Sequence, residues 1–207
     1  MTQQLDKWAG DFGDAYSARC RATEDAITER KRAWQRILRH VESVDSVLEV
    51  GCNVGINLHA LADLLPDAYL EGVEPNERAA AIANDALPDS LIRGGESVFT
   101  MPDLYSDGLF QMVFTTGVLI HVAPDDLLTA CTNIVNASQR YVYCQEYFSQ
   151  HPREITYRGK RDMLWARDFG SFYMDNFPQL RCVTSGFFWK RTTGLDDVTY
   201  WLFEKTE

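Results

Sequence analysis

The sequence predicts an α/β domain built on an open, mostly parallel sheet with helices on both faces. Three observations carry this. First, the apolar run Val47-Leu48-Glu49-Val50 turns through Gly51-Cys52-Asn53-Val54-Gly55 into Ile56, Leu58, Leu61 and Leu65, whose spacing suits a helix. Strand, tight glycine turn and helix open a nucleotide-binding βαβ unit. Second, the strand-like run Tyr69–Glu74 ends in an acidic residue about 20 residues past the loop, where a carboxylate can accept both hydroxyls of a ribose. Third, strands and helices keep alternating to Cys144, and two strand-like runs close the chain as an antiparallel hairpin.

The elements follow in order. Residues 1–14 hold Trp8 and Phe12 among Gly10 and Gly13, which reads as a lid or docking segment and not as a helix. From Asp14 to about Val41, helix formers and apolar residues near helical spacing predict one or two helices before the sheet. In the glycine loop, Gly51 permits the sharp turn, Gly55 lets the new helix pack close against the strand, and Asn53 tolerates a left-handed backbone. After Glu74 a helix runs over 78–86, and Leu91 to Ser97 reads as a short strand with its exit loop. Met112-Val113-Phe114 is a buried strand leaving through Thr115-Thr116-Gly117. Open α/β sheets bind ligands at the carboxyl ends of their strands. His121 follows an apolar triplet there, a candidate general base or substrate contact, although a lone His beside apolar residues is more often structural. Pro124-Asp125-Asp126 starts the next helix, and residues 140–144 form the fifth strand, left through Gln145-Glu146-Tyr147. Residues 148–172 interleave aromatics with charges of both signs, poor core material but suited to a polar small-molecule pocket. A helix over 173–180 precedes the hairpin strands 183–190 and 198–204.

The stretch VLEVGCNVG resembles motif I of the class I S-adenosylmethionine-dependent methyltransferases, with Glu49, Gly51 and Gly55 on its acidic-x-Gly-x-x-x-Gly pattern. The resemblance implies a Rossmann-like fold: a seven-stranded, mostly parallel sheet in the order 3-2-1-4-5-7-6, helices on both faces and an N-terminal helical lid. It implies one methyltransferase domain over 1–207, with lid 1–43, cofactor-binding core 44–147, substrate insertion 148–172, and closing helix and hairpin 173–207. The cofactor implied is S-adenosylmethionine, with S-adenosylhomocysteine as product. Its candidate contacts are Tyr16 and Arg19 from the lid, Glu49, Gly51, Asn53, Gly55 and Asn57 around the loop, and Glu74 on the ribose. Glu96 and the Ser97 N–H are placed at the adenine, and Thr116 and Gly117 under the sulfonium and adenosine.

The chain is similar to a narrower bacterial family, the methylases associated with pseudaminic acid biosynthesis, through WAGDFGDAYSAR, VLEVGCNVGINL, VFTTGVLIHVAPDDL and CQEYFSQHPREITYRGKRDMLWARDF. That implies a small-molecule substrate, a nonulosonic acid or its amino-sugar precursors. His121, Glu146 and Tyr157 are then candidate bases or positioning groups. Tyr147, Arg158 and Arg167 are candidate substrate contacts, the two arginines as a carboxylate clamp.

Composition sets outer bounds. A net charge of −10 over 207 residues argues against a broad basic face for nucleic acid. No apolar run approaches the ~20 residues of a membrane span, and the N-terminus lacks the pattern of a signal peptide. Five cysteines without Cys-x-x-Cys or zinc spacing point to reduced thiols, no metal and a cytoplasmic protein. A homodimer is compatible with the sequence. Two other readings stand beside methyl transfer. An NAD-dependent sugar oxidoreductase or epimerase explains the βαβ start and Glu74, but Asn53 and the missing Tyr-x-x-x-Lys pair tell against it. A non-catalytic partner of the same fold has no need of the loop and Glu74.

Overall fold

The computed structural model describes residues 2–206. Its centre is a parallel sheet of β1 (Ser46–Val50), β2 (Tyr69–Glu74), β3 (Leu91–Gly94), β4 (Phe110–Thr116) and β5 (Ser138–Glu146). The chain then makes a two-stranded ribbon of β6 (Arg153–Glu154) and β7 (Trp165–Ala166) inside the 148–172 segment. It finishes with β8 (Leu180–Phe188) and β9 (Val198–Lys205), both antiparallel additions. The seven strands lie in the order β3-β2-β1-β4-β5-β9-β8. Leaving out the small ribbon, this is the order expected from the sequence.

Helices cover both faces because the central strands are buried on both. Alternate residues serve opposite cores, as the two-residue period of a strand requires. Leu48, Val50, Val113 and Val142 pack with α7 (Leu127–Ala137), α8 (Phe169–Asn176) and the short α6 (Met101–Leu104). Val47, Met112, Phe114, Tyr141 and Tyr143 pack with α3 (Glu24–Leu38), α4 (Ile56–Leu64) and α5 (Glu77–Ala86). Trp34 of α3 anchors the second face, its ring 4.6 Å from Phe114 and 5.0 Å from Tyr143. A fully buried Trp of this kind is worth about 3–5 kcal/mol against Ala.

Two local expectations are corrected. Residues 1–14 include helix: α1 (Gln3–Ala9) and α2 (Asp11–Ser17) form an N-terminal helical pair. Thr2 caps α1 by accepting the Leu5 N–H, and Gly10 joins the helices. Gly13 is required because a Cβ there would lie 1.8 Å from the Trp8 carbonyl oxygen. The helix expected over 173–180 runs instead over Phe169–Asn176, started by Asp168, whose side chain accepts the Ser171 N–H, and ended before Pro178. The hairpin link carries one further short helix, α9 (Lys190–Thr193). Among the described residues no helix is long and apolar enough to cross a membrane.

Candidate functional site

A cavity of about 220 Å³ opens at the carboxyl ends of β1, β2 and β4, beneath α1 and α2. Its floor is the turn after β1. Gly51, Asn53 and Gly55 have φ of 74°, 50° and 76°, so three of five turn residues adopt the left-handed region. Glycine does so freely and asparagine better than most residues. A Cβ on Gly51 would lie 2.6 Å from Val118, so the close approach of the loop after β4 also demands glycine. Gly55 has a different neighbour from the one expected. Its Cβ would meet Leu87 and Ala83 on the α5 side rather than the strand.

The turn and the tip of β2 are bonded to each other. Glu74 Oε2 accepts the Asn53 N–H at 2.8 Å, and Oε1 accepts the Asn76 N–H at 2.9 Å. Burial pushes the Glu74 carboxyl up to about 7, with those two N–H groups pulling the other way. Glu49 lies deeper. Its Oε1 accepts from Asn57 Nδ2 at 2.7 Å, and Oε2 has no partner among the described residues. Burial raises Glu49 to about 8, opposed by the Asn57 bond and by Arg30. Asn57 Nδ2 also donates to Thr116 Oγ1 at 3.0 Å, and Asn57 Oδ1 accepts from Trp34 Nε1 at 3.3 Å. One amide on α4 thereby ties β1, β4 and α3 together.

Tyr16, Glu49, Gly51, Asn53, Asn57 and Glu74 all line the cavity, as do Ser97, Thr116, Gly117 and His121. Burial holds the Tyr16 phenol well above its ordinary range. Arg19, Gly55 and Glu96 lie outside the lining. Ser97 N–H, expected at an adenine edge, is already donated to Thr100 Oγ1 at 2.8 Å. Among the lining residues that the sequence did not single out are Arg30 and Pro75. Arg30 is one of several charged residues on α3, and only the packing of that helix shows that it faces Glu49.

The end of the cavity at His121 is assembled from three segments. His121 sits in a single 3-10 turn, Leu119–His121. Its ring lies 4.6 Å from Trp8 of α1 and 5.3 Å from Tyr157 of the 148–172 segment, and Tyr157 in turn is 6.1 Å from Phe12. Burial pulls His121 down to about 4, so the ring is neutral at physiological pH.

The structure narrows the roles of several residues expected here. Glu146 is buried and lies outside the cavity, so it is not a free base. Its oxygens accept the N–H groups of Val118, Leu119 and Ile120 and the Thr115 hydroxyl, which fixes the loop carrying His121. Burial raises its carboxyl to about 7 against those donors. Tyr147 donates to Asp196 at 3.3 Å. The arginine clamp is not assembled. Arg158 is exposed at a tight turn, 5.5 Å over Tyr157, while Arg167 packs over Phe169 and Phe172.

A doubly wound sheet ending in an antiparallel hairpin, with a left-handed glycine loop bonded to an acidic strand tip, defines the Rossmann-like methyltransferase fold. The comparisons agree. The chain superposes on a magnesium protoporphyrin IX methyltransferase from Synechocystis with bound S-adenosylmethionine, TM-score 0.68, 11% identity, covering 100% of this chain and 99% of that one. It superposes likewise on the 1,6-didemethyltoxoflavin N1-methyltransferase of Burkholderia thailandensis with S-adenosylhomocysteine, TM-score 0.67, 16% identity, covering 98% and 86%. A SAM-dependent methyltransferase of Leishmania major gives TM-score 0.71 at 15% identity, covering 98% and 87%. At these identities the likeness is one of fold. In sequence, the chain is 25% identical over 139 residues to an uncharacterized methyltransferase of Schizosaccharomyces pombe, a match covering 59% of this chain and 49%, about half, of that protein. No family model matches the chain.

Proposed function

We propose that this chain transfers a methyl group from S-adenosylmethionine to a small polar metabolite. The bond from Asn53 N–H to Glu74 supports this most, because it sets the glycine loop and the acidic strand tip against one cavity. Each Glu74 oxygen is oriented by one backbone N–H and keeps lone pairs for two ribose hydroxyls. The unpartnered Glu49 Oε2 suits an amino group, and Arg30 suits a carboxylate. A ligand with ribose, amino and carboxylate groups in that order has the constitution of S-adenosylmethionine, whereas a nicotinamide dinucleotide has no amino-acid end. Bound there, the sulfonium supplies an activated methyl group and leaves as a neutral thioether. The chain's part is to hold the nucleophile in line, and such orientation contributes roughly 7–11 kcal/mol in well-aligned systems.

The acceptor is an acidic amino sugar of the nonulosonic acid class, on the strength of the sequence resemblance. Charge is consistent with it: Arg158, Lys160 and Arg161 cluster at the exposed turn beside Tyr157, in a chain whose net charge is −10. Calorimetry tests the cofactor assignment. S-adenosylhomocysteine is expected to bind and NAD to give no heat; the reverse overturns the proposal. Arg158→Ala is expected to weaken binding of an acidic amino sugar and to spare S-adenosylhomocysteine, so equal loss of both would make the arginine structural.

A further inference from the structure

The methyl-transfer reading leaves the acceptor atom open, and the setting of His121 bears on it. The ring is held from two sides. From β5, Glu146 gathers three consecutive N–H groups, those of Val118, Leu119 and Ile120, at 3.2, 3.1 and 3.3 Å. This fixes the backbone on which His121 stands. From the insertion, the Met163 carbonyl oxygen lies 2.6 Å from His121 Nδ1.

A carbonyl oxygen can only accept, so Nδ1 carries the proton in this bond. In a neutral ring Nε2 is then a bare lone pair, and burial keeps the ring neutral. Nε2 has no hydrogen-bond partner among the described residues, and His121 lines the cavity. Trp8 and Tyr157 pack against the ring, so it cannot turn over without leaving both aromatic neighbours and the carbonyl.

We propose that His121 Nε2 is a fixed hydrogen-bond acceptor that selects a methyl-accepting group bearing its own proton, a hydroxyl or an uncharged amine, and disfavours a carboxylate. This rests on the proposed function. A hydroxyl or amine can donate to Nε2 and is thereby oriented. A carboxylate has no proton to give, and its oxygens would oppose the lone pair. In the transfer, a lone pair on the substrate oxygen or nitrogen forms the bond to the methyl carbon. The carbon–sulfur bond breaks and its electron pair stays on sulfur. With a hydroxyl acceptor the proton on the newly methylated oxygen passes to Nε2, and the imidazolium returns it to solvent when product leaves; a methylated amine keeps its proton as an ammonium and takes only its orientation from Nε2. On oxygen, bond formation to carbon makes that proton strongly acidic, so a weakly basic imidazole suffices. The insertion thus acts as a positioning element: its Met163 carbonyl chooses which nitrogen faces the substrate.

The tautomer is read directly, without any substrate. The chain is labelled with 15N-histidine, and long-range 1H–15N spectra are recorded at pH 7 with and without S-adenosylhomocysteine, His121→Asn assigning the signals. A neutral ring protonated on Nδ1 is expected; a proton on Nε2, or an imidazolium, overturns the proposal. The acceptor is then read by offering acidic amino sugars with free hydroxyl, amino and carboxyl groups and locating the added methyl by fragmentation. Methylation on oxygen or nitrogen of a proton-bearing group is expected, and a methyl ester overturns it. His121→Asn, whose amide reaches only as far as Met163, is expected to lose about 10²–10⁴-fold in kcat with S-adenosylhomocysteine affinity unchanged. His121→Gln, which returns an acceptor oxygen near the place of Nε2, is expected to recover about tenfold of that loss. Equal loss in both variants would make the ring structural. Failure of the unsubstituted chain to bind S-adenosylhomocysteine would strike the proposed function and leave the tautomer result standing.

Discussion

Two carboxyls in one cavity decide how the site responds to protons. Glu49 and Glu74 are raised by burial to about 8 and about 7, so in the empty site both are substantially protonated at pH 6. A ribose bonded through two hydroxyls and a ligand ammonium each favour the carboxylate form. Binding must therefore release protons, and affinity must rise with pH until both groups are ionised without help, near pH 8. S-adenosylhomocysteine is expected to bind more tightly at pH 8.5 than at pH 6. Calorimetry in buffers of different ionisation enthalpy should register net proton release at the lower pH; a flat profile or proton uptake would contradict this account. Glu74→Ala removes two bonds to a charged group, each worth about 1.5–3 kcal/mol, and is expected to weaken binding by more than a hundredfold. Unchanged affinity would overturn the ribose role. Glu74 and Asn53 were legible in the sequence because an acidic strand tip after a glycine loop and a residue tolerant of the left-handed region are both local signals. Arg30 was not, since nothing in an amphipathic pattern says which charged residue of a helix ends up over the cavity.

At the scale of elements, the Asn76 side chain ties α2 to the start of α5, next to the tip of β2. Asn76 is buried; its N–H donates to Glu74, its Oδ1 accepts the Ala79 N–H at the start of α5, and its Nδ2 donates to Asp14 Oδ1 at 2.8 Å. The Trp8 and Ala9 carbonyls lie 3.4 and 3.5 Å from the same nitrogen. Asn76→Asp keeps an equally good cap on α5 but places an acceptor opposite Asp14. Faster amide exchange over residues 3–17 is expected, with a loss of about 1–2 kcal/mol, or roughly 5–30-fold, in S-adenosylhomocysteine affinity. Asp14→Asn in the same chain should restore both, and a double variant no better than the single one would dismiss the latch. The same contacts explain why α1 and α2 were misread. Two glycines lower the intrinsic helix propensity of that stretch, and the pair is held partly by Asn76, 62 residues from Asp14 in sequence, a contact no local pattern announces. The sheet was legible because its strands carry apolar runs bounded by turn residues, and that signal is local. The β6–β7 ribbon, only two residues per strand, gives no period to detect.

Across the whole molecule, the raised carboxyls all stand at the carboxyl ends of parallel strands: Glu49 on β1, Glu74 on β2 and Glu146 on β5. The edge at which the cavity opens is thus the edge where burial works against charge. The sign of the consequence is fixed. A carboxyl raised above its ordinary 4.5 adds stability that is complete below that value and is lost as pH climbs through 7 to 8. His121, lowered to about 4 from 6.5, adds stability that is present above 6.5 and is lost as pH falls through 4. Above pH 6.5 the histidine no longer changes, so only the carboxyls act. The Tm of the empty chain is expected to fall between pH 6.5 and 8.5. A saturating ligand adds about 2.7 kcal/mol at a hundred times its Kd, worth roughly 5–10 °C in a domain of this size. Because Glu49 and Glu74 line the cavity and Glu146 does not, S-adenosylhomocysteine bound there should flatten most of that decline but not all of it. The increment in Tm should therefore grow with pH at fixed ligand concentration. An increment equal at every pH would separate the raised carboxyls from the ligand. A Tm of the empty chain that rises across the window would mean that these groups are paired in the fold more strongly than burial opposes them.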